Sequence, residues 1–365
     1  MHYGGMETLI MNLYRNMDRT KVQFDILAYY TEPGEYDDEV RQLGGNVYVI
    51  SKNMNPVKYL YKLTVFFTEN HDYDAVHVHT SWLGWIYFLY ADKYNIKKIV
   101  HFHSAGTANK GFSLLIKRIF EQITIRKADV IFSCSQKAAS YHKSDSRKTY
   151  ILKNGIDGNK FYYDKTIREA VRLELGLEHK KVILCVARFD VPKNHDFLID
   201  IVEKMVKKDN STVLLLVGTG PLEAVIKQKV EMLGLNAYVQ YLGVRNDVNQ
   251  LLQAADAYVM PSLWEGLGIV YIESQAAGVK TFASDEAYME ETHISDLIMH
   301  RSLDDGAQAW ADWILQNIGY ERVCKEKELI KSGFEISETA QALQRFYRGE
   351  AEAGELFDMV YQREE

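Results

Sequence analysis

Short runs of apolar, often β-branched residues alternate along the chain with longer segments in which apolar residues recur at helical spacing. Most of the short runs are continuously apolar, which is typical of parallel strands covered on both faces. Strands that alternate with helices predict right-handed βαβ units. We predict strands at Gln23–Ala28, Val47–Ile50, Ala75–Thr80, Ile99–Ser104, Val130–Ser135 and Tyr150–Asn154 in one set, and at Val182–Ala187, Thr212–Gly218, Tyr238–Leu242, Ala257–Pro261 and Lys280–Ser284 in a second.

Two sets of βαβ units predict two doubly wound α/β domains, and a chain of 365 residues is long enough for each to bury its own core. The turn residues of Asn154-Gly155-Ile156-Asp157 separate the two sets. We therefore predict domains at residues 1–157 and 158–333, followed by a helical tail at 334–365. In this architecture ligands bind at the carboxyl ends of parallel strands, so a cleft between the two domains is the expected binding site.

The composition is that of a globular protein, with 47% hydrophobic and 25% charged residues and no apolar run long enough to cross a membrane. The first residues do not resemble a secretory leader, and the three cysteines show no metal-ligand spacing, so we expect a cytosolic protein. Charge is unevenly distributed along the chain. Residues 1–165 are net basic, with 22 Lys and Arg against 17 Asp and Glu, whereas the chain as a whole has a net charge of −7. The basic half suits an anionic partner, although drift of surface charge explains the asymmetry equally well.

The segment Ser262–Gly278 follows a predicted strand and carries two glutamates eight residues apart. Its glycine-containing turn, Gly266–Gly268, opens a helix, where free N–H groups bind anions. We place Glu265 at the entrance of this helix and Glu273 a little more than two turns later, so both carboxylates are expected on nearly one face. A glutamate at a helix start followed by an ordinary amphipathic glutamate is the alternative explanation.

Three more strand ends of the second half carry residues suited to a nucleotide. Arg188 and Lys193 form a candidate diphosphate clamp, since a guanidinium supplies forked donors and an ammonium a mobile charge; for this pair alone, a solvated basic loop explains the sequence as well. Gly218 and Gly220 form a tight turn of a kind that many α/β proteins use without a ligand. Val244 leaves the next strand, where backbone groups are suited to a base edge. Together, four successive strand ends predict a nucleotide site.

Four histidines lie on two predicted strands of the first half: His77, His79, His101 and His103. Alternate residues of a strand share a face, so His101 and His103 are expected on one side and Phe102 on the other. No carboxylate stands at ligand spacing beside these histidines. We therefore predict no metal site in this chain.

Over nearly its whole length, the sequence resembles the family-4 glycosyltransferases with the GT-B fold, particularly those of bacterial exopolysaccharide and capsule assembly. The shared markers extend from Gly4-Gly5-Met6-Glu7 to Gly333-Phe334-Glu335-Ile336. Between them stand Asp74–His79, His101–Ser104, Asn154–Asp157, Arg188 with Lys193, and Glu265 with Glu273.

The resemblance implies a retaining, metal-independent hexosyltransferase that needs no cofactor and uses a nucleotide-diphosphate sugar, most commonly a UDP-hexose. Arg188 and Lys193 would bind the donor diphosphate, Glu265 the donor sugar and Glu273 the ribose. His103 would be the active-site histidine, with His101 structural. The catalytic residues implied are His103, Glu265, Arg188 and Lys193, and the further donor contacts implied are Gly5, Gly218, Val244, Gly266, Leu267 and Gly268.

Two features of the chain depart from what the resemblance implies. Relatives carry an apolar strand before the glycine loop, whereas only Met1-His2-Tyr3 precede Gly4 here. We therefore expect the first strand of the N-terminal sheet to be missing and two other strands to lack a neighbour. Asp72-Tyr73-Asp74 matches the Asp-x-Asp pattern of metal-dependent transferases, but it precedes a strand instead of ending one, so we interpret it as coincidental.

The expected partners are the donor and a saccharide or lipid-linked saccharide acceptor, with no nucleic acid. The segment Lys110–Lys127 mixes apolar residues with five basic ones. It predicts a helix that packs on its own sheet, lies on an anionic membrane at the inner face of the cell, or does both. Two other functional hypotheses are an epimerase or glycan phosphorylase on the same fold, and a catalytically inactive, truncated saccharide-binding protein.

Overall fold

The computed structural model describes Met1 and residues 4–30, 32–51, 53–80, 82–103 and 112–359, without the side chains of residues 112–114 and 147. His2, Tyr3, Ser104 and Lys110, which were included in sequence-based predictions, lie outside the described residues. The chain divides into two compact units. The first comprises Met1–Ile156 together with Gly333–Glu365, and the second comprises Asp157–Ser332.

The described strands of the first unit all pair in parallel. They are β1 (Ile26–Ala28), β2 (Val47–Val49), β3 (Ala75–Val78), β4 (Lys97–Phe102), β5 (Val130–Ser133) and β6 (Thr149–Ile151). Each matches a predicted strand, and most are shorter than predicted. Ile99 and Val100 of β4 and Ile131 and Phe132 of β5 are fully buried, as expected of central parallel strands.

These strands form two separate sheets. β1 pairs with β2, while β3, β4, β5 and β6 form a four-stranded sheet in sequence order. Within the described ranges, β1 has only β2 as a neighbouring strand and β3 has only β4, so each has one edge without a strand partner. A hydrogen bond of 2.8 Å from the Tyr73 hydroxyl to Oδ2 of Asp25 connects the residues that precede these two strands.

The C-terminal segment is part of the core of the first unit. The helices of this unit are α1 (Gly5–Asn16), α2 (Asp37–Gln42), α3 (Pro56–Glu69), α4 (Gly84–Tyr94), α5 (Phe112–Lys127), α6 (Gln136–His142) and, near the C-terminus, α15 (Ile336–Tyr347) and α16 (Ala353–Leu356). Leu9 and Leu13 of α1 are buried in one cluster with Leu343 and Phe346 of α15. Residues 334–365 were predicted as a C-terminal helical tail, and α15 shows that the described part of this segment, up to residue 359, contributes to the first core.

The second unit is built on one six-stranded parallel sheet. Its strands are β7 (Lys181–Val186), β8 (Thr212–Val217), β9 (Val239–Gly243), β10 (Ala257–Met260), β11 (Lys280–Ser284) and β12 (Ile298–Arg301), in the order β12-β11-β10-β7-β8-β9. β12 was not predicted, because half of its four residues are polar. The chain order reverses between β7 and β10. The switch point at which such sheets bind ligands therefore lies at the carboxyl ends of these two strands.

Amphipathic helices complete the second unit. They are α7 (Gly158–Phe161), α8 (Lys165–Glu174), α9 (His195–Lys208), α10 (Glu223–Met232), α11 (Val248–Ala254), α12 (Ile269–Ala276), α13 (Gly306–Asn317) and α14 (Glu326–Lys331). In α9, the buried residues Leu198, Ile201, Val202 and Met205 recur at spacings of three and four. That spacing gives the helix one apolar face for the core.

Gly218 and Gly220 bring the turns after β7 and β8 into close contact. Gly218 has a φ of +125°, which favours glycine. A Cβ atom on Gly218 would lie 2.2 Å from the carbonyl oxygen of Ala187, and one on Gly220 would lie 2.4 Å from that of Phe189. Packing alone therefore requires glycine at both positions, whatever ligand binds nearby.

Candidate active site

The loops that follow β7 and β10 meet at the switch point of the second unit. The two strands are direct neighbours in the sheet. Beyond their ends, the N–H of Leu263 donates to the carbonyl oxygen of Pro192 at 2.8 Å. This hydrogen bond holds two segments with predicted site residues, Arg188–Lys193 and Ser262–Gly268, side by side.

The centre of the site is an ion pair between Lys193 and Glu265. Nζ of Lys193 lies 2.6 Å and 2.7 Å from the two carboxylate oxygens, and the Ser262 hydroxyl donates to Oε1 at 2.7 Å. Glu265 is only 8% exposed, so water screens this pair weakly. The structure thus brings together two predicted site residues and adds Ser262. The sequence placed Ser262 at the start of the motif but gave it no role.

The backbone around Lys193 changes direction abruptly. Val191–Lys193 form one turn of 3-10 helix, and the Asp190 carboxylate accepts a hydrogen bond from the Val191 N–H at 2.8 Å. Asn194 then adopts the left-handed conformation with a φ of +51°, which is uncommon for residues other than glycine. Helix α9 begins at the next residue. Lys193 therefore stands at a corner and is not part of α9.

Helix α12 begins later than predicted. It starts at Ile269, directly after Gly268, which has a left-handed φ of +71°. Glu265 lies in the preceding loop, so the prediction that Glu265 and Glu273 share a helix face was wrong. The physical reason is Gly268, because a helix does not continue through a left-handed residue. No described side chain caps this end of α12, so its first N–H groups remain available to an anion.

Glu273 lies within α12 in surroundings that disfavour a negative charge. Burial raises the pKa of its carboxyl group to about 7. A carboxyl group with a shifted pKa near a ligand-binding edge is typical of a functional residue.

Arg188 stands apart from the ion pair. Its side chain is 70% exposed, and its Nε lies 3.9 Å from Oδ2 of Asp190, which is too long for a hydrogen bond.

The exposed residue Val244 follows β9, whose last residue, Gly243, accepts a hydrogen bond from the N–H of Gly218 at 2.7 Å. The predicted donor residues of the second unit thus stand mainly at the carboxyl ends of four strands, β7 to β10.

The first unit presents its histidines near the ends of β3 and β4. The rings of His101 and His103 lie 4.0 Å apart, whereas Phe102 stacks on His142 at 4.2 Å, which confirms the predicted alternation of faces. Nδ1 of His79 lies 2.7 Å from Nε2 of His103. Burial lowers the pKa of His103 well below its usual value, so its imidazole is neutral at pH 7.

Gly5 and the Asp-x-Asp sequence also lie in the first unit. Gly5 is the first residue of α1, and an added Cβ atom there would meet no atom within 4 Å. No described side chain caps this helix end either. Asp72 and Asp74 precede β3, and Asp72 is exposed, with His71 as its ion-pair neighbour at 3.9 Å.

Two family models match the chain, one in each half. Glycosyltransferase Family 4 matches residues 3–160, and Glycosyl transferases group 1 matches residues 168–316. Together they account for most of the chain. The chain belongs to the glycosyltransferases. The candidate donor residues of the second unit, from Arg188 to Glu273, all fall within the group 1 match.

The glycosyltransferase is similar to bacterial proteins along most of its length. EpsF of Bacillus subtilis (strain 168), a provisionally assigned glycosyltransferase, is 29% identical over 361 residues, which cover 95% of this chain and 94% of EpsF. The UDP-Gal:alpha-D-GlcNAc-diphosphoundecaprenol alpha-1,3-galactosyltransferase of Escherichia coli is 27% identical over 291 residues, which cover 72% of each chain.

The fold of the glycosyltransferase is the GT-B fold. Alr3699/HepE of Anabaena, solved in complex with UDP-glucose, superposes with a TM-score of 0.71 at 19% identity, over 98% of this chain and 93% of HepE. At this identity, the similarity shows the fold. It confirms the fold class predicted from the sequence.

Replacing Glu273 with glutamine is expected to stabilise the glycosyltransferase in a pH-dependent way. The folded carboxyl keeps its proton up to a pKa of about 7, whereas an unfolded glutamate loses it near about pH 4.3. The contribution of Glu273 to stability is therefore complete below the pKa of the unfolded-state carboxyl group. It is lost as the pH rises through the folded-state pKa of about 7. Compared with wild type, Glu273→Gln should raise the free energy of unfolding by about 2 kcal/mol more at pH 8 than at pH 4.

Chemical denaturation of both proteins at the two pH values measures this difference. Glu231→Gln, at an exposed position of α10, is the matched control and should give the same offset at both pH values. A pH-independent effect of Glu273→Gln would contradict the account of its buried carboxyl.

Proposed function

We propose that this glycosyltransferase is a retaining, metal-independent hexosyltransferase of exopolysaccharide or capsule biosynthesis. It transfers a hexose from a UDP-sugar to a saccharide or lipid-linked saccharide. The Lys193–Glu265 ion pair at the switch point, hydrogen-bonded to Ser262 and close in sequence to the uncapped start of α12, carries the proposal. It offers positive charge and hydrogen-bond acceptors where open α/β sheets bind ligands.

The donor diphosphate is assigned to Arg188, Lys193 and the amides of Gly266, Leu267 and Gly268. Arg188 is exposed and, among the described residues, its side chain makes only a long contact with Asp190, so we assign it to a phosphate. The first N–H groups of α12 add the partial positive charge of a helix start. Cationic side chains and oriented amides can neutralise a diphosphate without a divalent ion.

Glu265 and Glu273 are assigned to the donor hydroxyl groups. When a phosphate draws Lys193 away, the Glu265 carboxylate gains free lone pairs for a sugar hydroxyl while Ser262 still holds Oε1. With its pKa near 7, Glu273 can act as donor or acceptor to the ribose diol. Gly218 and Val244 are assigned to the close approach of the backbone and to the base.

Transfer depends on stabilising the charge that develops on the departing UDP. In this proposal the acceptor hydroxyl attacks the anomeric carbon on the face from which UDP leaves, and Lys193 and Arg188 stabilise the transition state. Loss of one such group should cost about 3 kcal/mol, on the order of a hundredfold in rate. On the first unit, the neutral imidazole of His103 and the α1 start at Gly5 are assigned to substrate contacts by family resemblance.

The choice of UDP rests on the relatives. HepE has been solved in complex with UDP-glucose, and the similar Escherichia coli enzyme is named for UDP-Gal and a diphosphoundecaprenol-linked saccharide. We therefore assign a UDP-hexose as the donor and a lipid-linked saccharide as the leading acceptor class.

A screen of UDP- and GDP-hexoses in the presence of EDTA tests this function. Calorimetry should detect binding of one UDP-hexose, with slow hydrolysis to UDP, and Glu273→Ala should weaken binding at least about tenfold, because a charged or buried hydrogen-bond partner is lost. Glu231→Ala is the control. Failure of the folded protein to bind any nucleotide sugar would overturn the donor site. Conversion of the donor to another hexose without an acceptor would favour an epimerase.

Helix α5 supports peripheral contact with an anionic membrane as part of this function. Among the described helices, none has both the length and the apolar character needed to traverse a bilayer. Ile125 of α5 is buried in the core of the unit, whereas Leu115, Ile116 and Ile119 are exposed beside Lys117. The helix packs on its own unit through Ile125, and the exposed apolar residues Leu115, Ile116 and Ile119 support the proposed contact with a membrane surface.

Vesicle sedimentation tests this contact. Ile119→Glu should weaken binding to vesicles of anionic phospholipid on the order of tenfold, because it removes apolar contact and adds repulsion. Met232→Glu, at an exposed apolar position of the second unit, is the matched control. Equal binding by wild type and both variants would contradict a role for α5.

A further inference from the structure

Three histidines of the first unit, His77, His79 and His101, form a compact group that the proposed transfer reaction does not use. One ring nitrogen of each lies within 4.8 Å of one ring nitrogen of each of the others. The ring of His77 lies 4.5 Å from that of His79 and 5.6 Å from that of His101. Three imidazoles from β3, the residue after it and the neighbouring strand β4 thus lie close together.

The nitrogens of this group are poorly satisfied by the protein. Within the described part of the chain, Nε2 of His77 is buried without a hydrogen-bond partner. The buried ring nitrogens of His101 make at most a poorly aligned contact with the backbone of Leu152. Such a buried atom costs about 1–3 kcal/mol. Native proteins nearly always satisfy these atoms through protein groups, water or an ion.

Two neighbouring side chains fix the orientation of the rings. The Tyr347 hydroxyl lies 2.6 Å from Nδ1 of His77, and Nε2 of His103 lies 2.7 Å from Nδ1 of His79. Histidines that bind metals are usually oriented by a hydrogen bond at the other ring nitrogen. With Nδ1 engaged in both rings, Nε2 is the nitrogen left for a ligand.

We propose that His77, His79 and His101 form a binding site for a divalent transition-metal ion of the zinc class. Neutral imidazoles without a thiolate suit Zn²⁺ and its first-row neighbours. Ligand nitrogens of a tetrahedral zinc site lie about 3.4 Å apart, given Zn–N distances of about 2.0–2.1 Å. Because the three ligand nitrogens lie within 4.8 Å of one another, the widest pair must close by at most about 1.4 Å on metal binding. The sequence-based prediction of no metal site relied on the missing carboxylate, but three histidines and one open position are a known zinc arrangement.

A metal at this site would connect β3 to β4. β3 is an edge strand of its sheet among the described residues, so a cross-link at its end restrains the less supported side of the sheet. An ion that binds the folded state and not the unfolded one stabilises the fold by mass action. The three proposed ligands are on the first unit and include none of the residues assigned to the transfer reaction, and the contact between the two sets is that of His79 with His103 at 2.7 Å. Metal uptake is measured without the transfer reaction, so its failure is distinguishable from failure of the proposed function.

Metal titration of the full chain without an affinity tag tests the proposal. The protein is stripped with a chelator, dialysed and titrated with Zn²⁺ against a chromophoric chelator, and in parallel with Co²⁺. We expect one equivalent of tightly bound Zn²⁺, the visible absorption of four-coordinate Co²⁺, and a higher unfolding temperature with Zn²⁺. No stoichiometric uptake by the folded wild type, or a Co²⁺ spectrum of six-coordinate solvent-bound ion, would overturn the proposal.

Variants assign the site to its residues. His77→Gln should lower Zn²⁺ affinity by more than about a hundredfold and abolish the thermal shift, while Tyr347→Phe should lower affinity about tenfold by releasing the His77 ring. His71→Gln, at an exposed histidine of the same unit, is the control and should bind as wild type does. Equal affinity in all four proteins would overturn the assignment. If His77→Gln does not fold, Tyr347→Phe and the wild-type Co²⁺ spectrum decide the question.

Discussion

The ion pair between Lys193 and Glu265 is the interaction on which the candidate site depends. It joins two loops that are 72 residues apart in sequence and follow neighbouring strands. Removing one partner of a buried pair leaves an uncompensated charge, at a cost of about 3–5 kcal/mol. Two backbone features position this pair. They are the hydrogen bond from Leu263 to Pro192 and the left-handed conformation of Asn194.

Several features near this pair reduce the stability of the fold and suit a ligand. No described side chain caps the start of α12 after Gly268, and Glu273 holds a carboxyl group where burial opposes its charge. Local costs of this kind are typical of functional sites and are offset elsewhere in a protein. The six-stranded sheet of the second unit provides stabilising packing close to these features. Its strands β7 and β8 pair over six residues and are largely buried.

Much of the fold was predictable because its strands are buried and parallel. Continuous apolar runs such as Val182–Ala187 can be recognised without knowledge of their partners. β12 escaped prediction because Ile298–Arg301 is short and half polar, and the start of α12 was misplaced because a glycine turn in a sequence does not reveal which residue becomes left-handed. The contribution of α15 to the first core depends on its contacts with α1, which no local pattern encodes.

The candidate site was predictable as a set of residues but not as an arrangement. Arg188, Lys193, Glu265 and Glu273 were identified from their spacing and the family resemblance. The pairing of Lys193 with Glu265 and the role of Ser262 are tertiary facts. The histidine group illustrates the same limit: alternation along β3 and β4 predicts which side each ring occupies, whereas the unpartnered nitrogens depend on what packs above them.

The central claim is that Lys193, held by Glu265, binds the donor diphosphate without a divalent ion. Its most direct test is the affinity for UDP, with EDTA present, of wild type, Lys193→Met, Glu265→Gln and the double variant. The account predicts that Lys193→Met weakens UDP binding by about ten- to a hundredfold, as expected for a hydrogen bond to a charged group. The account also predicts that Glu265→Gln binds UDP as tightly as wild type or more tightly, because Lys193 is then released from the Glu265 carboxylate. Equal UDP affinity in wild type and Lys193→Met, or binding that appears only with added Mg²⁺, would contradict it.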